Sequence, residues 1–282
     1  MKIAKTIPTL VALLVLRGAC SAQAQSPDTV LIRSGELTLT ALLWRPAVPR
    51  PWPAVFFNHG SWPTNNAGGR QAHEVLDQAA SLGPVFARHG YVCLFLFRRG
   101  VGLSTGQGSN AADILDRELA AGGLTARNRA RLELLQTTEL HDAQAGLAFL
   151  RGVPGVDPGR VAVVGHSFGG ALTLLLVERD SAVRAAIDFA GAAGSWDASP
   201  ELRERLLEAV RIIPASVLFI HALNDYSVSP GTALAAEMTR LGKPHRLIVY
   251  PPFGSTTSQG HNIVDLNITS WESDVFAFLA GS

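Results

Sequence analysis

The stretch Val161-Ala162-Val163-Val164-Gly165-His166-Ser167-Phe168-Gly169-Gly170 sets a serine between two glycines, directly after a short apolar run and directly before an apolar segment. A hydroxyl perched on a tight turn between a strand and a helix needs small neighbours, and Gly165 and Gly169 let strand and helix approach closely. Such a turn lifts the hydroxyl above the sheet, and the helix behind it aims unpaired N–H groups at developing negative charge. The chemistry implied is attack by Ser167 on an acyl carbonyl. The Gly-x-Ser-x-Gly pattern occurs a second time, at Gly102-Leu103-Ser104-Thr105-Gly106, so the pattern alone does not decide. That copy runs on into Gln107-Gly108-Ser109-Asn110, a polar loop with no apolar helix behind it, and the strand–turn–helix setting selects Ser167.

A serine hydroxyl needs a base, and histidine is the usual one near neutral pH. Of eight histidines, His261 lies late, next to the glycine-flanked loop Gly254 to Gly260, ahead of the final helical segment. Asp225 follows the apolar run Val217-Leu218-Phe219-Ile220, where a carboxylate accepts the second imidazole N–H and stabilises the imidazolium formed during attack. Asp188, between Ile187 and Phe189, is the rival acid, and Asp265 a third. His59 and His166 sit beside the site at strand ends and shape the pocket, while His221 ends a strand. The oxyanion is expected on the N–H of Phe168 and on that of Ser61, with Trp62 next in line. Trp62, Trp196 and Tyr226 are candidates to line a substrate pocket, although a packed aromatic is the commoner role. No histidine pair has zinc-ligand spacing with a third ligand, so neither metal nor cofactor is expected.

These residues need a scaffold. The 282-residue chain is 47% hydrophobic and 17% charged with a net charge of +1, a composition for a large buried core. So neutral a chain offers no general grip on nucleic acid or an anionic membrane, and a small, largely uncharged substrate is expected. Apolar runs at Ala54–Phe57, Tyr91–Phe97, Val161–Val164, Val183–Phe189, Ser216–Ile220 and Arg246–Tyr250 lack polar alternation. Separated by helical periodicity, they predict a parallel sheet covered on both faces. Val30–Arg33 and Leu37–Trp44 read as two strands around the turn Ser34-Gly35. Helices are expected at Gln71–His89, interrupted near Gly83-Pro84, and at Leu132–Leu150, Ala171–Val177, Thr232–Leu241 and Ile268–Leu279. Residues 104–130 and 192–213 break the alternation. They read either as cap segments over the site or as surface elements without a catalytic role.

Residues 1–24 read as an export signal: Lys2 and Lys5, then the apolar run Leu10 to Leu16, then Ala22-Gln23-Ala24. The run is too short to span a bilayer, so no stable membrane span is expected after cleavage, and the location is secreted or periplasmic. Cys20 behind Gly18-Ala19 raises a lipoprotein as the second reading, with Arg17 against it. Cleavage after Ala24 leaves Cys93 alone, unable to form an internal disulfide and expected to be an inert core residue. The remaining chain, 25–282, reads as one domain.

At Asn58-His59-Gly60, Arg98-Arg99-Gly100-Val101-Gly102-Leu103-Ser104 and Val156-Asp157-Pro158-Gly159-Arg160-Val161, the chain resembles the dienelactone hydrolase-like and prolyl-oligopeptidase-like branch of the α/β-hydrolases. The stretch His221 to Pro230 resembles that branch's acid loop, and Gly260-His261 its histidine loop. The resemblance runs from about Leu37 to Leu279. It implies a mostly parallel α/β-hydrolase sheet of about eight strands flanked by helices on both faces. It further implies a triad of Ser167, Asp225 and His261, a structural Ser104, and Arg99 as a structural ion-pair partner. Dienelactone hydrolase itself uses a cysteine where this chain has Ser167, so its particular activity is not implied. The leading expectation is an exported serine hydrolase that cleaves a small carboxylic ester. The alternatives are a small serine peptidase or amidase and a non-catalytic binding protein on the same scaffold.

Overall fold

A computed structural model describes residues 26–62 and 70–282, with side chains at 70–73 set aside. The proposed export signal, Cys20 included, lies outside the described residues. Strands run β1 (Asp28–Ser34), β2 (Leu37–Trp44), β3 (Trp52–Asn58), β4 (Val92–Leu96), β5 (Val156–His166), β6 (Ala185–Phe189), β7 (Ser216–Ala222) and β8 (His245–Tyr250). They form an eight-stranded sheet in the order β1-β2-β4-β3-β5-β6-β7-β8. β1 pairs antiparallel with β2 and β2 antiparallel with β4, and every later pairing is parallel. The central strands explain the unbroken apolar runs, since β4 and β6 are buried at every residue while the edge strand β8 is not.

The helices are α1 (Arg70–Arg88), α2 (Ala111–Gln136), α3 (Thr138–Arg151), α4 (Phe168–Glu178), α5 (Pro200–Ile212), α6 (Ser229–Arg240), the short α7 (Thr257–His261) and α8 (Ile263–Leu266), and α9 (Ile268–Ala280). One face of the sheet packs under α1 and α9 through Phe57, Phe86, Phe95 and Trp271. The other packs under α3 to α6 through Phe56, Leu147, Leu175 and Leu206. Each fully buried side chain of this size stabilises the fold by about 1.5–3 kcal/mol. Cys93 is free and buried in β4, and burial pushes its thiol up, as an inert core residue requires. No helix among the described residues is long and apolar enough to cross a membrane.

Two local expectations are corrected. Leu132–Leu150 is not one helix: α2 ends at Gln136, Thr137 adopts φ −123°, ψ −99°, and α3 starts anew. The Thr137 hydroxyl donates to the Glu133 carbonyl at 2.7 Å, a side-chain bond that competes with the backbone ladder. Apolar periodicity carries no trace of a one-residue break. The helix around Gly83-Pro84 is continuous instead of interrupted, and Gly83 packs where a Cβ would meet the Trp44 ring. The irregular stretch 104–130 is mostly helix α2, bent at Gly123, whose φ of 69° lies in the left-handed region.

Candidate active site

The chain ends of the parallel strands bring the singled-out residues to one rim of the sheet. Ser167 sits between β5 and α4 at φ 56°, ψ −117°, a strained conformation for a residue with a Cβ. Its N–H donates to the Phe189 carbonyl at 2.8 Å, which fastens the turn to β6. The neighbouring glycines are sterically required. A Cβ on Gly165 would collide with the Gly169 carbonyl, and one on Gly169 with the Asn58 and His59 carbonyls.

His261, the last residue of α7, places Nε2 at 2.9 Å from the Ser167 hydroxyl and Nδ1 at 2.7 Å from Asp225 Oδ1. The same Asp225 oxygen accepts the Tyr226 N–H at 2.7 Å. Asp225 Oδ2 lies 2.9 Å from His221 Nδ1, which must be the donor because a carboxylate only accepts. Burial opposes ionisation of Asp225, yet the hydrogen bonds from His221 and His261 hold its carboxyl at about 2. The line sets a histidine that can take a proton from a serine beside a carboxylate that stays anionic and holds the imidazole in place.

Several supports were not singled out from the sequence. The sequence marks His221 only as the end of a strand, and its role in holding Asp225 depends on β7 and the acid loop folding together. Asn224 ties the acid loop to the histidine loop: its amide donates to the Phe253 and Thr256 carbonyls at 2.9 Å, and its Oδ1 accepts the Phe253 N–H at 2.9 Å. Arg98 is buried beneath the loop after β3, donating to the His59 carbonyl at 2.9 Å and the Gly60 carbonyl at 3.3 Å. It pairs with Glu139 at 2.6 Å, both side chains being 2% exposed. Burial raises the Glu139 carboxyl and the Arg98 charge opposes that. A sequence offers only the types of such residues: the partners of Arg98 and Asn224 lie 29 to 41 positions away, and His221 meets Asp225 only through the fold of the acid loop.

The remaining candidates take other positions. His166 Nε2 lies 2.9 Å from the His261 carbonyl and steadies that loop, with burial pushing its imidazole down to about 3. His59 accepts the Arg98 N–H at 3.2 Å, and burial with the Arg98 charge lowers it. Asp188 does not reach His261. Its carboxylate fills the space between Gly170 and Gly191, and burial raises it to about 7, with His221 and the Gly191 N–H pulling the other way. Asp265 receives the Gln78 amide at 3.4 Å, on the α1 side. Ser104 donates to the Phe97 carbonyl at 2.7 Å and accepts the Thr40 N–H at 2.8 Å, so its hydroxyl is committed to the scaffold. Arg99 pairs with Asp142 at 2.7 Å, as the resemblance implied.

Ser167 and His261 open into a cavity of about 420 Å³ that Ser61, Trp62, Phe168 and Tyr226 also line. The Tyr226 ring meets His261 edge-on at 4.8 Å. Phe168 and Gly169 open α4 ahead of its first backbone bonds, which Gly170 and Ala171 make to the Ser167 carbonyl at 3.0 and 3.2 Å, and Phe168 lines the cavity. Trp196 does not line the cavity. Its N–H closes a turn onto the Ala192 carbonyl at 2.8 Å, and the side chain, 5% exposed, joins the core with Leu202 and Leu206. Both irregular stretches reach the cavity wall, the first through Arg127 and the second through Ala192, Gly194, Ser195 and Leu202. No cluster of three or more metal-ligating side chains occurs among the described residues.

The sheet order, the serine turn and the hydrogen-bonded residues at its rim define an α/β-hydrolase. More narrowly, the chain belongs to the dienelactone hydrolase family, whose profile matches residues 39–257. It is 32% identical over 170 residues to the polyketide transferase grgF of a Penicillium species, covering 56% of this chain and 50% of that protein. The chain spans about half the length of the curated relatives it matches. Among solved structures, the dienelactone hydrolase-like promiscuous phosphotriesterase P91 from metagenomic libraries has a TM-score of 0.60 at 20% identity, covering 91% of this chain and 99% of that one. Pyrococcus horikoshii acylaminoacyl peptidase has a TM-score of 0.63 at 16% identity, covering 92% of this chain and 42% of that one. These two likenesses are of fold.

Proposed function

We propose that the protein is an exported serine hydrolase that cleaves a small carboxylic ester through Ser167, His261 and Asp225. The observation that carries the reading is the unbroken hydrogen-bonded line from Asp225 through His261 to Ser167, ending in a cavity of about 420 Å³. In this reading Ser167 Oγ attacks the ester carbonyl and its proton passes to His261 Nε2. The resulting oxyanion rests on the N–H groups of Phe168 and Ser61, each such donor being worth ~100- to 1000-fold in turnover. Collapse expels the alcohol, which takes the proton from His261 and leaves an acyl-Ser167. Water then attacks the acyl group, gives its proton to His261, and releases the carboxylic acid as Ser167 recovers its proton.

Export rests on the charged start, apolar run and small residues of the first 24 positions. A serine amidase or peptidase would use the same three residues, and the fold likeness to acylaminoacyl peptidase favours it as the second reading. Two measurements decide. A fluorophosphonate should label the protein and fail to label Ser167→Ala. Labelling that survives Ser167→Ala and vanishes in Ser104→Ala would overturn the nucleophile. An aryl ester should turn over far faster than the matched peptide anilide, and the reverse ratio would replace esterase by amidase.

A further inference from the structure

An aromatic ring stands open in the substrate cavity, against the histidine of the proton line. Tyr226 is 55% exposed, the one Phe, Trp or Tyr among the described residues to be that open, and it lines the cavity beside Ser167 and His261. The rings of His166 and Tyr226 both pack against His261, at 5.0 and 4.8 Å, but His166 is buried and Tyr226 is not. The Tyr226 backbone is tied to the same line: its N–H donates to Asp225 Oδ1, the oxygen that receives His261 Nδ1. The ring therefore keeps its register with acid and base. Gly194, in the loop after β6, leaves the ring uncovered. A Cβ there would stand 3.9 Å from the ring, in ordinary contact, so a longer side chain would lie against it.

The chemistry fixes which half of an ester meets this ring. In the expulsion step the alcohol oxygen takes its proton from His261 Nε2, a transfer that needs an approach of about 2.6–3.2 Å. The carbon next to that oxygen then lies at the edge of the imidazole, within reach of the ring that packs on it. The acyl half is bonded to Ser167 at that moment, so the group beside His261 is the alcohol. An exposed aromatic ring leaves apolar surface in water. A second ring set edge-on or offset against it removes that surface and adds the attraction between ring quadrupoles, whereas a saturated ring of the same size only removes the surface.

We propose that Tyr226 is a specificity-determining residue that forms a subsite for the leaving alcohol, so that the ester this protein prefers carries an aromatic ring in its alcohol half. The inference rests on the ester-hydrolase reading and goes beyond it by assigning one wall of the cavity to one half of the substrate. Packing of that remote ring would hold the alcohol oxygen at His261 Nε2, which is how binding energy from a non-reacting part of a substrate serves the reacting part. Benzyl acetate and cyclohexylmethyl acetate isolate the effect. Their alcohols are primary and close in size, and both esters pass through the same acetyl-Ser167. A difference between them in kcat/KM therefore arises before the alcohol has left.

With each kcat/KM referred to hydrolysis of the same ester by hydroxide, benzyl acetate is expected to be favoured about threefold to tenfold, the factor that ~0.7–1.4 kcal/mol of ring–ring attraction supplies. Tyr226→Phe should keep the ratio, since the ring carries it, and Tyr226→Leu should bring it towards one. Gly194→Leu should lower it too, by laying a side chain on the ring; Gly194 does not adopt the left-handed backbone, so a side chain is not strained there. The preference between benzyl acetate and benzyl butyrate belongs to the acyl half and should stay in Tyr226→Leu as it is in the parent. A mere misalignment of His261 would slow all these esters alike and leave both ratios where they were. A parental ratio of one or below, a ratio unchanged in Tyr226→Leu, or an acyl preference that shifts as much as the alcohol preference would overturn the proposal. If amides are cleaved and esters are not, N-benzylacetamide and N-(cyclohexylmethyl)acetamide carry the same ratio for the departing amine. If nothing is cleaved and Ser167 is not labelled, the hydrolase reading fails by itself. The subsite is then read from binding by ligand-observed NMR: benzyl alcohol binding saturably and more tightly than cyclohexylmethanol in the parent but not in Tyr226→Leu supports it, and no such difference refutes it.

Discussion

Replacing Asp225 by asparagine changes one atom and tests the whole line of proton transfer. The parent carboxylate accepts from His261 Nδ1 and the Tyr226 N–H at one oxygen and from His221 Nδ1 at the other. An amide cannot accept at both ends. With its oxygen towards His261, its NH2 faces the His221 N–H, and two donors oppose each other in a buried site. With its NH2 towards His261, the imidazole must present N–H to Ser167 and can no longer act as base. In either orientation the negative charge beside the forming imidazolium is lost. Opposite charges about 4 Å apart at an effective dielectric of about 20 attract by about 4 kcal/mol, and about 1.4 kcal/mol is tenfold in rate. Turnover of 4-nitrophenyl acetate by Asp225→Asn is therefore expected to fall about 1000-fold, and further if the wrong tautomer dominates. Steady-state kcat, measured on Asp225→Asn and Asp188→Asn side by side, is the assay. Asp225→Asn keeping a tenth of parent activity, or Asp188→Asn losing as much, would refute the reasoning.

His221→Leu leaves Asp225 Oδ2 buried without a donor, a penalty of about 1–3 kcal/mol, and should lower kcat about tenfold with little change in KM, while His221→Asn restores a donor and most of the rate. Asp188 binds a proton in the native state up to about 7 that the unfolded chain releases near 3.8. Stability should therefore fall as pH rises between those values, and Asp188→Asn should flatten the trend and raise Tm by a few degrees at about pH 8, with no gain at about pH 4; equal shifts at both would remove Asp188 as the cause. Gly169→Ala drives a methyl into the Asn58 and His59 carbonyls, which are backbone and cannot step aside. It should cost about 1–3 kcal/mol in denaturant unfolding and depress turnover, and a variant of parental stability would contradict the close approach of α4 to β3.

The elements that carry a periodic signal were legible along the chain. The buried strands β3 to β7 show as unbroken apolar runs because both faces of the sheet are covered, and Ser167 shows because its turn tolerates only glycine on either side. Asp225 and His261 are marked by their positions beyond strand-forming runs and by their order in the chain, and the structure brings both to Ser167. The features that folded differently were local and aperiodic: the break at Thr137, the unbroken helix through Pro84 and the inward turn of Trp196. Each depends on a single side chain meeting a neighbour that periodicity does not name.

By itself, then, the sequence determined the alternation of buried strands and helices, the one serine placed to leave a sheet for a helix, and the acid and histidine able to serve it. Residue type and spacing suffice there because those features are written in contiguous segments. The tertiary structure decided how they are held: His221 on the far oxygen of Asp225, Arg98 with Glu139 beneath the loop after β3, and Asn224 between the acid and histidine loops. Arg98 and Glu139 stand 41 positions apart and Asn224 and Phe253 stand 29, while His221 meets Asp225 only because the acid loop folds back on β7. Whether a charge is paired or buried is settled only when folding brings such segments into contact.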